Sequence, residues 1–129
     1  MARLLKISAL SAIGYAVILA LFEAYRNWGD WQWWPFWVVD YVAATVLFLG
    51  GVAYLRRGIV GLMTGAWGFS TAMMSMSLFS HIDSLRQGDA AAYGPGGSLS
   101  EVLLTGLIGM STVVAGLGFL IGIIASLRA

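Results

Sequence analysis

The chain contains no cysteine and only one histidine among its 129 residues. Without cysteine it cannot form disulfides, thiolate metal sites or a catalytic thiolate, and a single histidine excludes a haem held by two histidines of one subunit. Charged residues are also scarce, since they make up 10% of the chain, whereas apolar residues make up 60%. This balance excludes an ordinary soluble domain and predicts an integral membrane protein.

The apolar residues form four long stretches that short polar segments separate. A helix needs about 20 apolar residues to cross roughly 30 Å of hydrocarbon, so four spans use almost the whole length of the chain. We therefore predict an all-α membrane protein with a single domain, an antiparallel bundle of four transmembrane helices. The predicted spans cover approximately residues 4–22, 35–55, 59–80 and 99–127.

The charged residues divide between the two sides of the predicted membrane. One side holds every acidic residue and the histidine, whereas the other side holds basic residues and no acid. Because cytoplasmic loops are enriched in Lys and Arg, we expect both termini in the cytoplasm of a cell with a bacterial-type plasma (inner) membrane. The acidic residues are Glu23, Asp30, Asp40, Asp83, Asp89 and Glu101, and the cytoplasmic basic residues are Arg3, Lys6, Arg56, Arg57 and Arg128.

Small residues recur at helical spacing along the third and fourth predicted helices. They form more faces than one antiparallel neighbour needs, so we expect a homo-oligomer or a partner membrane subunit, with a tightly packed monomeric bundle as the alternative. Membrane lipid is the other expected partner, and nothing indicates nucleic acid or a cofactor. These residues include Gly61, Gly65, Gly68 and Ala72 in the third helix and Ser111, Ala115, Gly118 and Gly122 in the fourth.

Asp40 is the most informative acidic residue, because it falls inside the second predicted span. It lies five positions after Pro35, which places it about 7–8 Å along the helix from the interface. Ala43, Ala44 and Leu47 share its side of the helix, so Asp40 is expected to face the protein interior. Acids inside membrane spans commonly bind ions or protons. The alternative is a salt bridge from Asp40 to Arg26 or Arg86.

Three further residues are candidates for a site with Asp40. His81 ends the third predicted helix and is expected to approach Asp40, so that the pair could bind a metal or transfer a proton; the alternative is a solvated helix end. Glu23 ends the first helix at the same level, either as a second carboxylate of the site or paired with Arg26. Met74 shares a stripe with His81 and is a candidate thioether ligand for copper, although adaptable packing explains it more simply.

Aromatic residues crowd the segment 25–41. Most of them suit an interfacial belt, because indole rings prefer the headgroup boundary. Trp37 and Tyr41 are one helical turn apart and flank Asp40, so they are candidates to line a pocket for an amphipathic or cationic ligand.

The other acidic residues have local explanations. Glu101 follows Ser98 at the spacing of a capping box, which predicts that both side chains bind exposed amides at the start of the fourth helix. Asp83 and Arg86 can pair at three-residue spacing. The glycine-rich segment from about residue 82 to 97 is expected to be a mobile loop without a core of its own.

Three functions from different classes agree with these residues. The favoured one is a non-catalytic membrane subunit with an outer-facing site for an ion, a ligand or a partner. The first alternative is a small oligomeric ion- or proton-coupled transporter or channel that uses Asp40. The second is an outer-facing membrane enzyme in which Asp40, Glu23 and His81 serve as acid, base or metal ligands, although no motif supplies a nucleophile.

Overall fold

The computed structural model describes residues 1–88 and 91–128 of the chain. Most of them belong to four helices, α1 (Ala2–Arg26), α2 (Trp34–Arg57), α3 (Val60–Gln87) and α4 (Glu101–Leu127). The predicted all-helical class is therefore confirmed. Asp89, which we expected in the second outer loop, lies outside the described residues.

Helix α3 is longer than the predicted third span. It continues past residue 80 to Gln87, whose side-chain amide donates a hydrogen bond to Asp83 Oδ2 at 2.6 Å. The helix ends at Gly88, which adopts a left-handed φ of 80° that costs glycine little. His81 therefore lies inside α3 and not at its end. The apolar stretch ends near residue 80, but a helix can continue beyond the hydrocarbon of the membrane.

The connection between α3 and α4 contains a small hairpin. Strands β1 (Ala92–Tyr93) and β2 (Leu99–Ser100) pair antiparallel, with Tyr93 opposite Leu99. A short 3₁₀ turn at Pro95–Gly97 joins them. Leu99 is buried, so the hairpin packs against the helices, in contrast to the coreless loop that we expected.

The start of α4 differs from the predicted capping box. Ser100 is the N-cap, and its Oγ accepts a hydrogen bond from the Leu103 amide at 3.3 Å. Ser98 instead shares a hydrogen bond with the Tyr25 hydroxyl group at 2.8 Å. The Ser98–Glu101 box is therefore wrong. Because the helix begins two residues later than expected, the Glu101 side chain is buried instead of turning back along the backbone.

The four helices run alternately up and down. Helix α1 packs along α2 and α3 packs along α4, while α2 also contacts α3. A tight turn at Gly58 joins α2 to α3 at one end of the bundle, the turn end. The other two connections meet at the opposite end, the loop end, where the Gly94 amide donates to the Arg26 carbonyl oxygen at 3.1 Å.

Some of the predicted small residues allow close packing inside the chain. A Cβ atom added at Gly51 would lie 2.7 Å from the Ala9 carbonyl oxygen, and one at Gly118 would lie 2.5 Å from the Trp67 ring. By contrast, a Cβ atom at Gly61 or Gly65 would meet nothing within 4 Å. The small-residue face of α3 is therefore only partly used by contacts within the chain.

Trp67 fills the bundle between its middle and the turn end. Its side chain is 1% exposed, and its Nε1 donates a hydrogen bond to Ser8 Oγ at 3.1 Å. The edge of the Tyr15 ring packs against it at a centroid distance of 5.5 Å. Trp67, Ser8 and Tyr15, which we call the Trp67 layer, fill the core on the side of the turn end.

Within the described residues, α1, α2 and α4 are long and apolar enough to cross a membrane. Helix α3 has 28 residues, which is also sufficient length, but it is less apolar than the other three. The protein is accordingly a membrane protein with at least three helices of spanning character.

Candidate functional site

Polar side chains gather between the helices at the loop end. We call these residues the polar cluster. They lie at the depth in the bundle where we expected Glu23, Asp40 and His81. The polar cluster comprises Glu23, Arg26, Asn27, Asp40, His81, Tyr93 and Glu101.

Glu23 is held firmly inside the cluster. It is only 2% exposed, its Oε1 accepts a hydrogen bond from Asn27 Nδ2 at 2.6 Å, and its Oε2 lies 3.8 Å from Arg26 Nη1. The pairing with Arg26 that the sequence suggested is therefore present, but it is buried and not on an exposed helix end. A buried carboxylate needs such partners, because loss of hydration is costly.

Asn27 is a site residue that the sequence analysis missed. Its side chain is buried, donates to both the carboxylate and the carbonyl oxygen of Glu23, and accepts a hydrogen bond from the Gln32 amide at 3.3 Å. Asn27 thereby joins the end of α1 to the following connection. Its position four residues after Glu23, on the same helix face, was the available signal.

Asp40 faces this cluster from α2, as its helix face predicted. Its electrostatic neighbours are the Glu23 carboxyl group and the Arg26 guanidinium group. Two carboxyl groups thus lie near one guanidinium group, which pairs with Glu23. If both are ionised, this part of the cluster has a net charge of −1, so one proton or one bound monovalent cation makes it neutral.

His81 has a different partner from the one expected. Its Nδ1 lies 2.5 Å from Glu101 Oε1, and both side chains are buried. His81 also contacts Tyr93 edge to face, at a ring-centroid distance of 5.8 Å. The sequence did not predict this pair, because it assigned Glu101 to a helix cap.

Arg26 connects the two parts of the cluster. Besides its contact with Glu23, its guanidinium carbon lies 5.1 Å from the centroid of the Tyr93 ring, within the range of a cation–π contact. Tyr93 in turn contacts His81. Arg26, Tyr93 and His81 therefore link the carboxyl pair of α1 and α2 to the His81–Glu101 pair of α3 and α4.

Two clefts open on either side of the cluster. The α1–α4 cleft has a volume of about 480 Å³ and is lined mainly by apolar side chains of these two helices. The α2–α3 cleft has a volume of about 620 Å³ and contains more polar residues, among them Ser80, His81 and Ser84. Arg26, Asp40 and Ser77 line both clefts and form the wall between them. Both volumes lie within the range of about 300–1,000 Å³ that is typical of small-molecule sites.

Within the described residues, three buried polar side-chain atoms lack a hydrogen-bond partner. They are Arg26 Nε, Ser70 Oγ and Glu101 Oε2. Buried polar atoms in folded proteins are nearly always paired. Two of the three belong to the polar cluster, so its hydrogen-bonding capacity exceeds what its own side chains use.

Trp37 and Tyr41 lie away from the two clefts. The Tyr41 hydroxyl group donates to the Ala20 carbonyl oxygen at 3.3 Å, and its ring lines a shallow groove between α1 and α2. Trp37 packs between Trp31 and Tyr41, at centroid distances of 5.6 and 6.1 Å. The structure therefore does not bring these two aromatic residues to the clefts that Asp40 lines.

The residues considered for a metal site are also divided. Met74 lines the α1–α4 cleft, whereas His81 lines the α2–α3 cleft, and Asp40 lies in the wall between them. In the part of the chain that the structure describes, no three His, Cys, Asp or Glu side chains are grouped so that they could hold a metal ion. The arrangement is better suited to pairing charges and protons than to coordinating a metal.

Comparison with known proteins assigns no family to this chain. The chain matches no protein-family model and has no significant match among curated sequences or solved structures.

Proposed function

We propose that this protein is a non-catalytic, multi-pass membrane protein that binds a positively charged ligand at the polar cluster. The observation that carries the proposal is the charged end of the α1–α4 cleft, which two carboxyl groups, those of Glu23 and Asp40, line together with one guanidinium group, that of Arg26. When both carboxyl groups are ionised, a ligand with one positive charge neutralises this arrangement. The clefts beside it have the volume of a small-molecule site.

In the proposed topology α3 is a fourth span. Residues 60–80 contain no charged side chain, and α3 packs along α4 and contacts α2. The loop end then faces outward, and the basic residues beside Gly58 and near both termini lie in the cytoplasm, in agreement with the positive-inside rule. The membrane is a plasma membrane of the bacterial type.

The proposal includes association with a second copy or with a partner membrane subunit. Its support is a groove of about 300 Å³ on the outside of α2 and α3, which includes Val46, Gly61 and Gly65. Glycines without contacts in such a groove allow another helix to approach closely.

A binding protein agrees better with the packing than a channel does. Trp67 and its contacts with Ser8 and Tyr15 fill the bundle below the clefts. An enzyme has less support, because among the described residues no serine is hydrogen-bonded to His81, the candidate base.

The proposal predicts that Asp40→Asn weakens the binding of a small monovalent cation. For purified protein in nanodiscs titrated with tetramethylammonium by calorimetry, we expect about tenfold or greater loss of affinity, because a charged contact in a partly buried site contributes roughly 1.5–3 kcal/mol. Asp30→Asn is the matched control, since Asp30 is exposed in the connection after α1. Equal affinities for the two variants, or no binding by the unmodified protein, would contradict the proposal.

A proton-coupled transporter is the second candidate, favoured by the position of Asp40 in the wall between two clefts. In this case, Asp40→Asn should abolish uptake of the same cation into proteoliposomes driven by a pH gradient, because the residue could no longer exchange a proton for the cation. Uptake is measured with radiolabelled tetramethylammonium against Asp30→Asn. If the unmodified protein binds the cation but does not take it up, the transporter function is contradicted and only the binding function remains.

A further inference from the structure

The α1–α4 cleft is charged at one end and mainly apolar along the rest of its length. Glu23, Arg26 and Asp40 lie at the loop end. Towards the turn end the lining is uncharged and mainly apolar, although Ser11 and Ser111 also belong to it, and the cleft extends past Gly14, which lies twelve residues before Arg26 along α1. At 1.5 Å per residue this corresponds to about 18 Å. The polarity of the cleft therefore matches a molecule with a polar head and an apolar tail. The apolar lining includes Ile18, Leu19 and Phe22 of α1 and Leu104, Leu107 and Ile108 of α4.

The cleft is open towards the side of the bundle. Helices α1 and α4 contact each other much less than α1 contacts α2 or α3 contacts α4. One of their contacts is the hydrogen bond from the Tyr15 hydroxyl group to the Ser111 carbonyl oxygen, at 3.4 Å. In a membrane, such an opening faces lipid, so an amphipathic molecule can enter sideways with its tail still in an apolar environment.

We infer that the ligand is a single-chain amphiphile with a monocationic head, such as an alkylammonium ion, with its head at Glu23 and Asp40 and its tail between α1 and α4. This inference rests on the proposed function and specifies its ligand class. Charge selects the head, because the cleft is lined by two carboxyl groups, those of Glu23 and Asp40, and by only one guanidinium group, that of Arg26. An anionic head would meet two carboxyl groups and only one guanidinium group. The volume of about 480 Å³ fits a drug-sized molecule.

Gly14→Leu tests the tail position without touching the charges. A Cβ atom at Gly14 meets nothing within 4 Å, so the leucine occupies cleft space, and leucine favours a helix more than glycine does. Gly106→Leu is the matched control, because Gly106 is an exposed helical glycine of α4 that also has open space around a Cβ atom. Both variants should fold like the unmodified protein.

The experiment compares tetramethylammonium, dodecyltrimethylammonium and dodecanoate as probes in nanodiscs. We expect Gly14→Leu to weaken dodecyltrimethylammonium binding by about tenfold or more, as blocking a few methylene positions in an apolar pocket does. Tetramethylammonium binding should not change, and Gly106→Leu should bind both cations normally. Partitioning into the nanodisc is the same for all variants, so their affinity ratio reports the cleft alone.

Each other outcome has a defined meaning. Equal dodecyltrimethylammonium affinity for Gly14→Leu and Gly106→Leu would overturn the tail assignment, while normal tetramethylammonium binding would leave the proposed function intact. Tighter binding of dodecanoate than of the dodecyl cation would overturn the head assignment. Absence of binding by both cations to the unmodified protein would overturn the proposed function and this inference together.

Discussion

Replacing Trp67 with alanine should lower the free energy of unfolding by about 3 kcal/mol or more. Trp67 is the largest fully buried side chain among the described residues, and its ring packs against Tyr15 and the backbone of Gly118. Its removal leaves a cavity and also leaves Ser8 Oγ without its donor. Within a membrane, helices associate mainly through packing and hydrogen bonds, so the loss of both should be large.

Trp34→Ala is the matched control for this substitution. The same side chain is removed, but Trp34 is 60% exposed at the start of α2. Unfolding in mixed micelles should be followed by helical circular dichroism, because tryptophan fluorescence changes with either substitution. Comparable losses of stability in the two variants would show that the Trp67 layer does not hold the bundle together.

The sequence was most informative about the helices and least informative about their ends. Apolar stretches identify α1, α2 and α4 well, because a helix that faces lipid must be apolar over its whole length. The end of α3 was misplaced because hydropathy reports contact with lipid, whereas Asp83 and Gln87 continue the helix through a hydrogen bond between their side chains. The N-cap of α4 was also misplaced, because Ser98 and Ser100 lie two positions apart and either serine can cap a helix.

The level of the candidate site could be predicted, but its contacts could not. Glu23, Asp40 and His81 all fall near the loop end because the helix lengths fix their depth in the bundle. Which side chains meet depends on the rotation of each helix, and apolar faces on all sides give little information about rotation. The pairing of His81 with Glu101 could have been considered from the antiparallel order of α3 and α4, since both residues lie near the connection that joins these helices.

Tyr41 shows that a residue next to a site residue in the sequence need not belong to the site. It directly follows Asp40, but successive helical residues point about 100° apart. Asp40 therefore faces the clefts while Tyr41 faces α1, where it donates to the Ala20 carbonyl oxygen. Asn27 shows the opposite case, because a residue just beyond the end of α1 reaches back to Glu23.

Glu101→Ala should destabilise the protein by about 3 kcal/mol, because it removes one partner of a buried pair and leaves His81 without its acceptor. His81→Ala should have a cost of similar size, since Glu101 then keeps a buried carboxyl group with no described partner on either oxygen. Ser100→Ala is the control on the same helix end, where loss of the exposed cap bond to the Leu103 amide should cost only about 1 kcal/mol.

The double variant, His81→Ala with Glu101→Ala, separates the pair from its surroundings. If the two side chains stabilise α3 against α4 through their contact, the double variant should lose at least about 1 kcal/mol less than the sum of the single losses. The measurement is equilibrium unfolding of all four forms in the same mixed micelles. Losses that add within about 0.5 kcal/mol would mean that the two residues act independently. The link from the carboxyl pair through Arg26 and Tyr93 would then end at His81 and not reach α4.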